Sequence, residues 1–146
     1  MLAKKITYTD FNGLERTETF YFNLTKSELT KLQLTYPGGF AEHIEEVIEA
    51  RDQTRILELF DEIIDLSYGE KSEDGKRLVK SPEISKSFKE TPAYDELFME
   101  LVTKEDAAAN FVNGMMPNLG ENESKRQEIV AKAQQRIEEK KSGTSA

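Results

Sequence analysis

Two segments near the N-terminus alternate apolar and polar residues, which is the pattern of β-strands that bury one face. They extend from residue 4 to residue 9 and from residue 16 to residue 22. The residues between them include Asn12-Gly13, a common turn pair, so the pattern predicts a β-hairpin. An isolated two-stranded hairpin is only marginally stable in water, and its apolar face is therefore expected to pack against helices.

The length of the turn decides which side chains share a face of this hairpin, because a slip of one residue exchanges the two faces. A two-residue turn at Asn12-Gly13 places the apolar residues of the two strands on opposite faces. A three-residue loop from Phe11 to Gly13 pairs Asp10 with Leu14 and places the apolar residues of both strands on the same face. We therefore predict the longer loop, with Gly13 in the left-handed conformation of a β-bulge. The shared face then contains Leu2, Ile6, Tyr8, Phe20 and Phe22.

Apolar residues at steps of three and four follow the hairpin and predict a series of helices. The first helix has a capping box, with Thr25 at the N-cap and Glu28 three residues later. Leu24 and Leu29 occupy the positions of a hydrophobic staple around this cap. Further helices are predicted to begin at Phe40 and after Asp52, Ser81 and Thr91, and a last one is predicted to be capped by Thr103 and Asp106. The longest stripe, the candidate for the central core helix, contains Ile56, Leu57, Phe60, Ile63, Ile64 and Ser67.

Residues 68–80 are predicted to form a loop, with a turn at Asp74-Gly75 and a short extended piece over residues 77–80. Together the elements predict an α+β fold, in which an N-terminal β-hairpin packs on a mainly α-helical bundle. We assign residues 1–117 to this globular domain, because the strongly apolar stripes all precede residue 118. Residues 118–146 are assigned to a linker and a polar C-terminal tail that is helical or disordered.

The distribution of charge narrows the choice of partners. The chain has a net charge of −8; residues 1–25 are neutral and residues 118–146 carry +1, which leaves −9 on residues 26–117. An acidic body repels phosphate, so we expect no binding to nucleic acid. The chain has neither an apolar run that could span a bilayer nor a signal peptide, so we expect no membrane association. Its lack of cysteine fits a reducing cytosol.

No group of residues in the sequence has the spacing of a catalytic or cofactor site. His43 is the single histidine, and without a second histidine or a nucleophile its context favours a packing or surface role. Acidic clusters at residues 42–49 and 61–65 are typical of solvated helix faces. Pro37-Gly38-Gly39 is not followed by the Gly-Lys-Ser/Thr of a phosphate-binding loop. We therefore expect no enzymatic activity, no cofactor and no metal.

Two features are candidates for binding a partner protein. Met116 precedes Pro117, and methionine adapts to varied contact surfaces but is also ordinary core filler at the end of a helix. The polar segment from Ser124 to Lys141 is a solvated or frayed helix on one interpretation. On the other interpretation it orders on a partner through apolar anchors. These anchors are Ile129, Val130, Ala133 and Ile137.

Three stretches of the chain resemble the tail assembly chaperones of long-tailed phages and prophages of Gram-positive bacteria. The first extends from Ile6 to Leu29 and contains the hairpin and the capping box. The second extends from Ser67 to Lys80, and the third joins residues 94–101, Tyr-Asp-Glu-Leu-Phe-Met-Glu-Leu, with residues 109–117. The resemblance covers the predicted globular domain and adds little beyond residue 118.

The resemblance implies a binding function without catalysis. Such chaperones coat the tape measure protein, keep it soluble, help to recruit the major tail protein during polymerisation of the tail tube, and are lost from the mature virion. It thus implies the tape measure protein and the major tail protein as partners, self-association on the client, and a location in the host bacterial cytoplasm. The alternative is a small acidic adaptor or regulatory protein that docks its C-terminal helix on one partner.

Overall fold

Four strands and six helices make up the described part of the chain, residues 1–104 and 106–117 of the computed structural model. The strands are β1 (Leu2–Thr9), β2 (Glu15–Phe22), β3 (Tyr68–Lys71) and β4 (Leu78–Val79). The helices are α1 (Lys26–Thr35), α2 (Phe40–Glu49), α3 (Gln53–Ser67), α4 (Pro82–Lys89), α5 (Pro92–Thr103) and α6 (Ala107–Met115). The strands form one antiparallel sheet in the order β1-β2-β3-β4, and α3 to α6 contact it. The chain therefore has the predicted α+β fold.

The hairpin has the predicted three-residue loop. Asp10 donates its N–H to the Leu14 carbonyl oxygen at 2.8 Å, and Gly13 donates its N–H to the Asp10 carbonyl oxygen at 3.0 Å. Gly13 has a φ of +83°, in the left-handed region that a Cβ makes costly. The predicted common face is confirmed by the register: Ile6 and Phe22 are buried, and Leu2, Tyr8 and Phe20 pack against the core.

Residues 68–71 form β3, where the sequence predicts a loop, so that prediction is wrong. The strand is too short for its sequence to show alternation. It forms through contacts with distant residues. The Tyr68 ring stacks on Phe88 with ring centroids 4.2 Å apart. A Cβ on Gly69 would lie 2.7 Å from the Leu78 side chain, so glycine is what allows β4 to approach β3 this closely.

The rest of this segment agrees with the prediction. Leu78–Val79 is β4, inside the expected extended piece, and pairs with β3. The turn between the two strands contains Asp74-Gly75, where the Asp74 carboxylate accepts the Ser72 hydroxyl at 2.7 Å and the Lys76 N–H at 3.0 Å. These hydrogen bonds are local, which is why the turn is visible in the sequence.

The predicted helix caps are present except at α6. The Thr25 side chain accepts the Glu28 N–H at 3.1 Å, and the Glu28 carboxylate accepts the Thr25 N–H at 3.0 Å. Ser81 and Thr91 cap α4 and α5 by accepting the Ile84 and Tyr94 N–H groups, and each is followed by a proline in the first turn. Asp106 makes no capping hydrogen bond through its side chain, because its backbone is left-handed (φ 64°) and a capping residue needs an extended backbone.

The central helix is α3, as predicted, but one position of its buried face differs from the prediction. Leu59 is buried and Leu57 is only half-buried, the reverse of the predicted assignment. Contacts with α2 and with β2 flank this helix, so its apolar face widens towards Leu59. The other predicted positions are confirmed as buried: Ile56, Phe60, Ile63, Ile64 and Ser67.

Aromatic rings form the centre of the core. Phe22 is completely buried, and its ring centroid lies 4.9 Å from Phe111 and 5.5 Å from Tyr68. Phe88 completes the cluster at 5.9 Å from Phe22. Edge-to-face and offset rings of this kind stabilise a core by about 0.5–1.5 kcal/mol per pair beyond the burial of their area. One strand thus joins α4, α6 and β3.

The last described turn closes against the start of α1. The Leu24 N–H donates to the Met115 carbonyl oxygen at 2.8 Å, and both side chains are buried. The tail assigned to residues 118–146 lies outside the described residues. The division at residue 117 and the helical or disordered nature of the tail therefore stay predictions.

Candidate interaction surfaces

His43 is held in a contact between helices. Its ring stacks on Tyr36 with centroids 4.3 Å apart, and its Nε2 lies 3.4 Å from the Glu62 carboxylate. The Tyr36 hydroxyl donates to the same carboxylate. Burial of the phenol is the larger cause and this hydrogen bond the second, and together they raise the pKa of Tyr36 to about 12. The cluster joins α1, α2 and α3. These contacts give the histidine a packing role.

Chemistry-bearing side chains elsewhere also serve contacts between elements. Residues 1–104 and 106–117 contain no group of three or more His, Asp or Glu side chains that could hold a metal ion. In the same residues no helix combines the length and the apolar character needed to cross a membrane.

Two acidic residues of α3 hold Tyr94 and Lys89. The Tyr94 hydroxyl donates to Asp61 at 2.5 Å, and the Lys89 ammonium contacts Asp61 and Asp65 at 3.0 and 3.1 Å. Burial of the Lys89 ammonium acts to lower its pKa, but the hydrogen bonds to these two carboxylates outweigh burial and raise the pKa of Lys89 above its ordinary value.

A groove of about 680 Å³ lies between the end of α3 and α4, with Leu66 and Pro82 in its lining. Its lining also contains three lysines, Lys80, Lys86 and Lys89, and two acids, Asp65 and Glu90. The Lys80 ammonium already contacts the Glu28 carboxylate at 2.8 Å and the Lys89 ammonium contacts Asp61 at 3.0 Å, so the lysines of the groove are largely balanced by carboxylates. The groove is therefore a weak candidate for binding an anionic ligand.

Lys80 joins separate segments of the chain at a place that we call the junction, defined by Asn23, Glu28, Leu66 and Lys80. Its ammonium donates to the Asn23 carbonyl oxygen at 2.5 Å, to the Glu28 carboxylate at 2.8 Å and to the Leu66 carbonyl oxygen at 3.0 Å. Burial of Glu28 acts to raise its pKa, but the hydrogen bonds from Lys80 and from the Thr25 N–H outweigh this and hold the pKa below its ordinary value. The junction is a structural site.

The strongest candidates for protein contact are apolar side chains exposed on different elements. Phe11 is 86% exposed in the hairpin loop, Leu34 is 83% exposed on α1, and Met99 is 54% exposed on α5. Leu14 accompanies Phe11 at 58% exposure. Single exposed apolar side chains are common on soluble proteins, so these residues become candidates only where a second feature accompanies them, such as the pairing of Phe11 with Leu14.

Hydrogen bonds order the backbone of the hairpin tip, Asp10 to Leu14. The Asp10 carboxylate accepts the Asn12 N–H at 2.9 Å and the Leu14 N–H at 3.0 Å. Its other oxygen accepts the Arg16 guanidinium at 2.6 Å. The Arg16 hydrogen bond, and then the Leu14 N–H, lower the pKa of Asp10. Phe11 and Leu14 are thus displayed on an ordered turn.

The structure places one of the predicted partner-binding residues in the domain. Met116 is 9% exposed and packs in the core at the end of α6, so it presents little surface to a partner. The four anchors lie outside the described residues: Ile129, Val130, Ala133 and Ile137. Sequence reasoning missed Phe11, Leu34 and Met99. Leu34 and Met99 depart from the apolar stripes of their helices, and Phe11 is an aromatic residue in a loop, signals that could have identified them.

Comparison with known proteins identifies the family. A sequence-family model described as phage tail assembly chaperone matches residues 1–145. Neither the curated proteins nor the solved structures gave a significant match. The matched range includes the whole described domain and almost all of the 146 residues. This chain therefore belongs to the phage tail assembly chaperone family.

Proposed function

We propose that this chain binds the tape measure protein, keeps it soluble before the tail tube forms and aids polymerisation of the tube. The family match over residues 1–145 carries the proposal. The major tail protein is the second partner, and copies of the chaperone associate with one another on the client. The protein acts in the host bacterial cytoplasm during virion morphogenesis and is absent from the mature virion.

The described surface supports this role physically. Phe11, Leu34 and Met99 lie on three different elements, so they offer separate weak contacts in place of one large patch. When many weak contacts form along one long client, the effective concentration of the remaining contacts rises and the overall affinity increases. Each single contact stays weak and reversible. The charge of −9 on residues 26–117 keeps free copies apart through like-charge repulsion.

The chemistry of the domain supports binding without catalysis. Titratable side chains such as His43, Glu28 and Lys89 each form an ion pair or a hydrogen bond that joins one helix to another helix or to the segment after β4. A catalytic group needs a free face towards a substrate. The proposal therefore assigns no bond-making or bond-breaking step to this protein.

Co-expression tests the proposal. We expect the soluble yield of the tape measure protein of the same phage to rise when the full chain is produced with it, and to rise with the ratio of the two. The major tail protein serves as a second client in the same assay. An unchanged soluble yield of the tape measure protein across all ratios would contradict the proposal.

The tail anchors have their own test within this assay. We propose that Ile129, Val130, Ala133 and Ile137 contact the client, without Met116, whose side chain is buried. Replacing Ile129, Val130 and Ile137 together by serine should remove most of the gain in soluble client, because these side chains supply the apolar area. The matched control replaces Gln127, Gln134 and Gln135 by serine in the same segment and should keep the gain. Equal loss in both variants would exclude the anchors.

A further inference from the structure

The outer edge of β1 has backbone groups that point away from the sheet. Because Asp10 and Leu14 form a hydrogen-bonded pair, such pairs recur at every second residue along the hairpin. The N–H and C=O groups of the intervening residues therefore face outwards. β1 is the outermost strand, and no other strand in the described part of the chain pairs with this edge. The outward-facing residues are Ala3, Lys5, Thr7 and Thr9.

A groove runs beside this edge, and α5 forms its other wall. It has a volume of about 330 Å³ and is lined by Lys5, Ile6 and Thr7 of β1 and by Glu96, Met99 and Thr103 of α5. Strand and helix are held together by the Lys4 ammonium, which donates to the Glu100 carboxylate at 2.9 Å. Met99 is 54% exposed and gives the α5 wall an apolar side chain beside the β1 edge, which pairs with no other strand among the described residues.

We propose that this groove binds an extended segment of a partner protein, which adds to the sheet as a new strand antiparallel to β1. The backbone of the segment pairs with Ala3, Lys5, Thr7 and Thr9, and its alternate side chains face solvent and groove. An apolar side chain of the segment covers Met99. This inference concerns the mode of contact and holds whichever protein supplies the segment.

Charge specifies the incoming segment further. The exposed face of β1 carries Lys5 among small and hydroxyl side chains, and this ammonium makes no ion pair with another described residue. Its neighbour Lys4 is already paired with Glu100. An acidic residue directly opposite Lys5 therefore gains a cross-strand ion pair, whereas a basic one is repelled. The preferred segment is β-forming, apolar on one face and acidic near its centre.

The chain's own tail is a poor occupant of this edge. Residues 124–141 consist mainly of Glu, Lys, Arg, Gln and Ala, which favour helix over strand. A second copy is also disfavoured. Two β1 edges that pair around their midpoints bring Lys5 of one copy next to Lys5 of the other, and each copy adds a net charge of −8.

The test uses the full chain, labelled with ¹⁵N, and the synthetic peptide acetyl-Thr-Val-Thr-Leu-Glu-Val-Thr-amide. In the antiparallel register its glutamate lies opposite Lys5 and its leucine faces Met99. We expect chemical-shift changes and slowed hydrogen exchange at the amides of Ala3, Lys5, Thr7 and Thr9 on addition of peptide. Absence of these changes at about 1 mM peptide, where even weak contacts are occupied, would overturn the proposal.

Two proline variants separate the two edges of the hairpin. Thr7 and Thr17 are cross-strand partners joined through their hydroxyl groups at 2.9 Å, and their N–H groups point to opposite edges. Thr7→Pro should weaken peptide binding about tenfold, because it removes a donor and places a ring in the edge. Thr17→Pro loses the same hydroxyl contact and should bind as the unmodified chain does. Equal weakening, or weakening by Thr17→Pro alone, would overturn the assignment to β1.

A second pair of variants leaves the strands intact in case proline disturbs folding. Met99→Glu should weaken binding about tenfold, since it places a carboxylate under the apolar side chain of the peptide. Ser87→Glu adds a carboxylate at an exposed position on α4, away from the groove, and should have no effect. Two further results would overturn the proposal: β1 amide protection that rises with protein concentration, which indicates a second copy, and β1 amide shifts on removal of residues 118–146, which indicate the tail.

Discussion

The hairpin tip and the junction are both organised by one charged side chain, and they differ in how far that side chain reaches. At the tip, Asp10 contacts residues two to six positions away. At the junction, Lys80 contacts Asn23 and Glu28, which are 57 and 52 positions away. The first arrangement orders a local turn in solvent. The second fixes the relative positions of α1, α3 and the sheet, and its loss is therefore expected to affect the whole domain.

The largest effect should come from removing the residues that close the domain against the start of α1. Truncation after Asn113 removes Met115 and Met116 and should lower the free energy of unfolding by at least about 4 kcal/mol, because losing one buried methionine side chain alone costs about 2–5 kcal/mol. Truncation after Pro117 keeps both residues and should retain cooperative unfolding. Thermal unfolding followed by circular dichroism measures both. Non-cooperative unfolding of the chain that ends at Pro117 would show that residues beyond 117 belong to the core.

Lys80→Met should have the next largest effect, a loss of about 2 kcal/mol, since it leaves two carbonyl groups and the Glu28 carboxylate without their shared donor. Lys86→Met makes the same change at an exposed position on the next helix and should cost less than about 0.5 kcal/mol. Urea denaturation gives both values. Similar losses in the two variants would mean that the junction contributes no more than general surface charge.

Gly13→Ala tests the tip and should cost about 1 kcal/mol, because alanine is strained at the left-handed φ of +83°. Gly13→Asn should cost less than half of that, since asparagine tolerates this conformation better. No atom lies within 4 Å of a Cβ placed there, so packing does not obscure the comparison. The same denaturation experiment measures both variants, and an equal cost for each would contradict the conformational explanation.

The smallest effect is a pH dependence at the junction. The pKa of Glu28 is lower in the folded protein than its ordinary value of 4.5. Its contribution to stability is therefore present above pH 4.5 and is lost as the pH falls through the folded-state pKa. The difference in unfolding free energy between the unmodified chain and Glu28→Gln should shrink below that pH. A difference that stays constant from about pH 7 to about pH 3 would rule out an ionised contact with Lys80.

The contrast between short and long reach also explains what the sequence could predict. Thr25 with Glu28, Asn12-Gly13 and Asp74-Gly75 act within a few residues, so their patterns reveal the capped helix and both turns. The alternation of Ile6 and Tyr8 with Phe20 and Phe22 determines the hairpin register, because only one register buries all of them together. These features cover most of the fold.

The features that sequence reasoning missed depend on distant partners. β3 exists because Tyr68 stacks on Phe88 and Gly69 admits β4, and neither contact follows from the local pattern. The position of Lys80 among three acceptors is equally invisible. For the candidate surfaces, the pattern reveals which residues leave an apolar stripe, as Leu34 and Met99 do. It does not reveal that α5 borders the open edge of β1.

The length of the hairpin sets the distance between its loop and the end of α6. Its loop lies at one end of β1 and β2, and α6 finishes beside Leu24 at the other end. Eight extended residues separate these points by about 25 Å. The hairpin therefore separates a group that contacts Phe11 from a group attached after Pro117 by about 25 Å. A reporter dye at the loop and another after residue 117 would read that separation directly and would report any folding-back of the one onto the other.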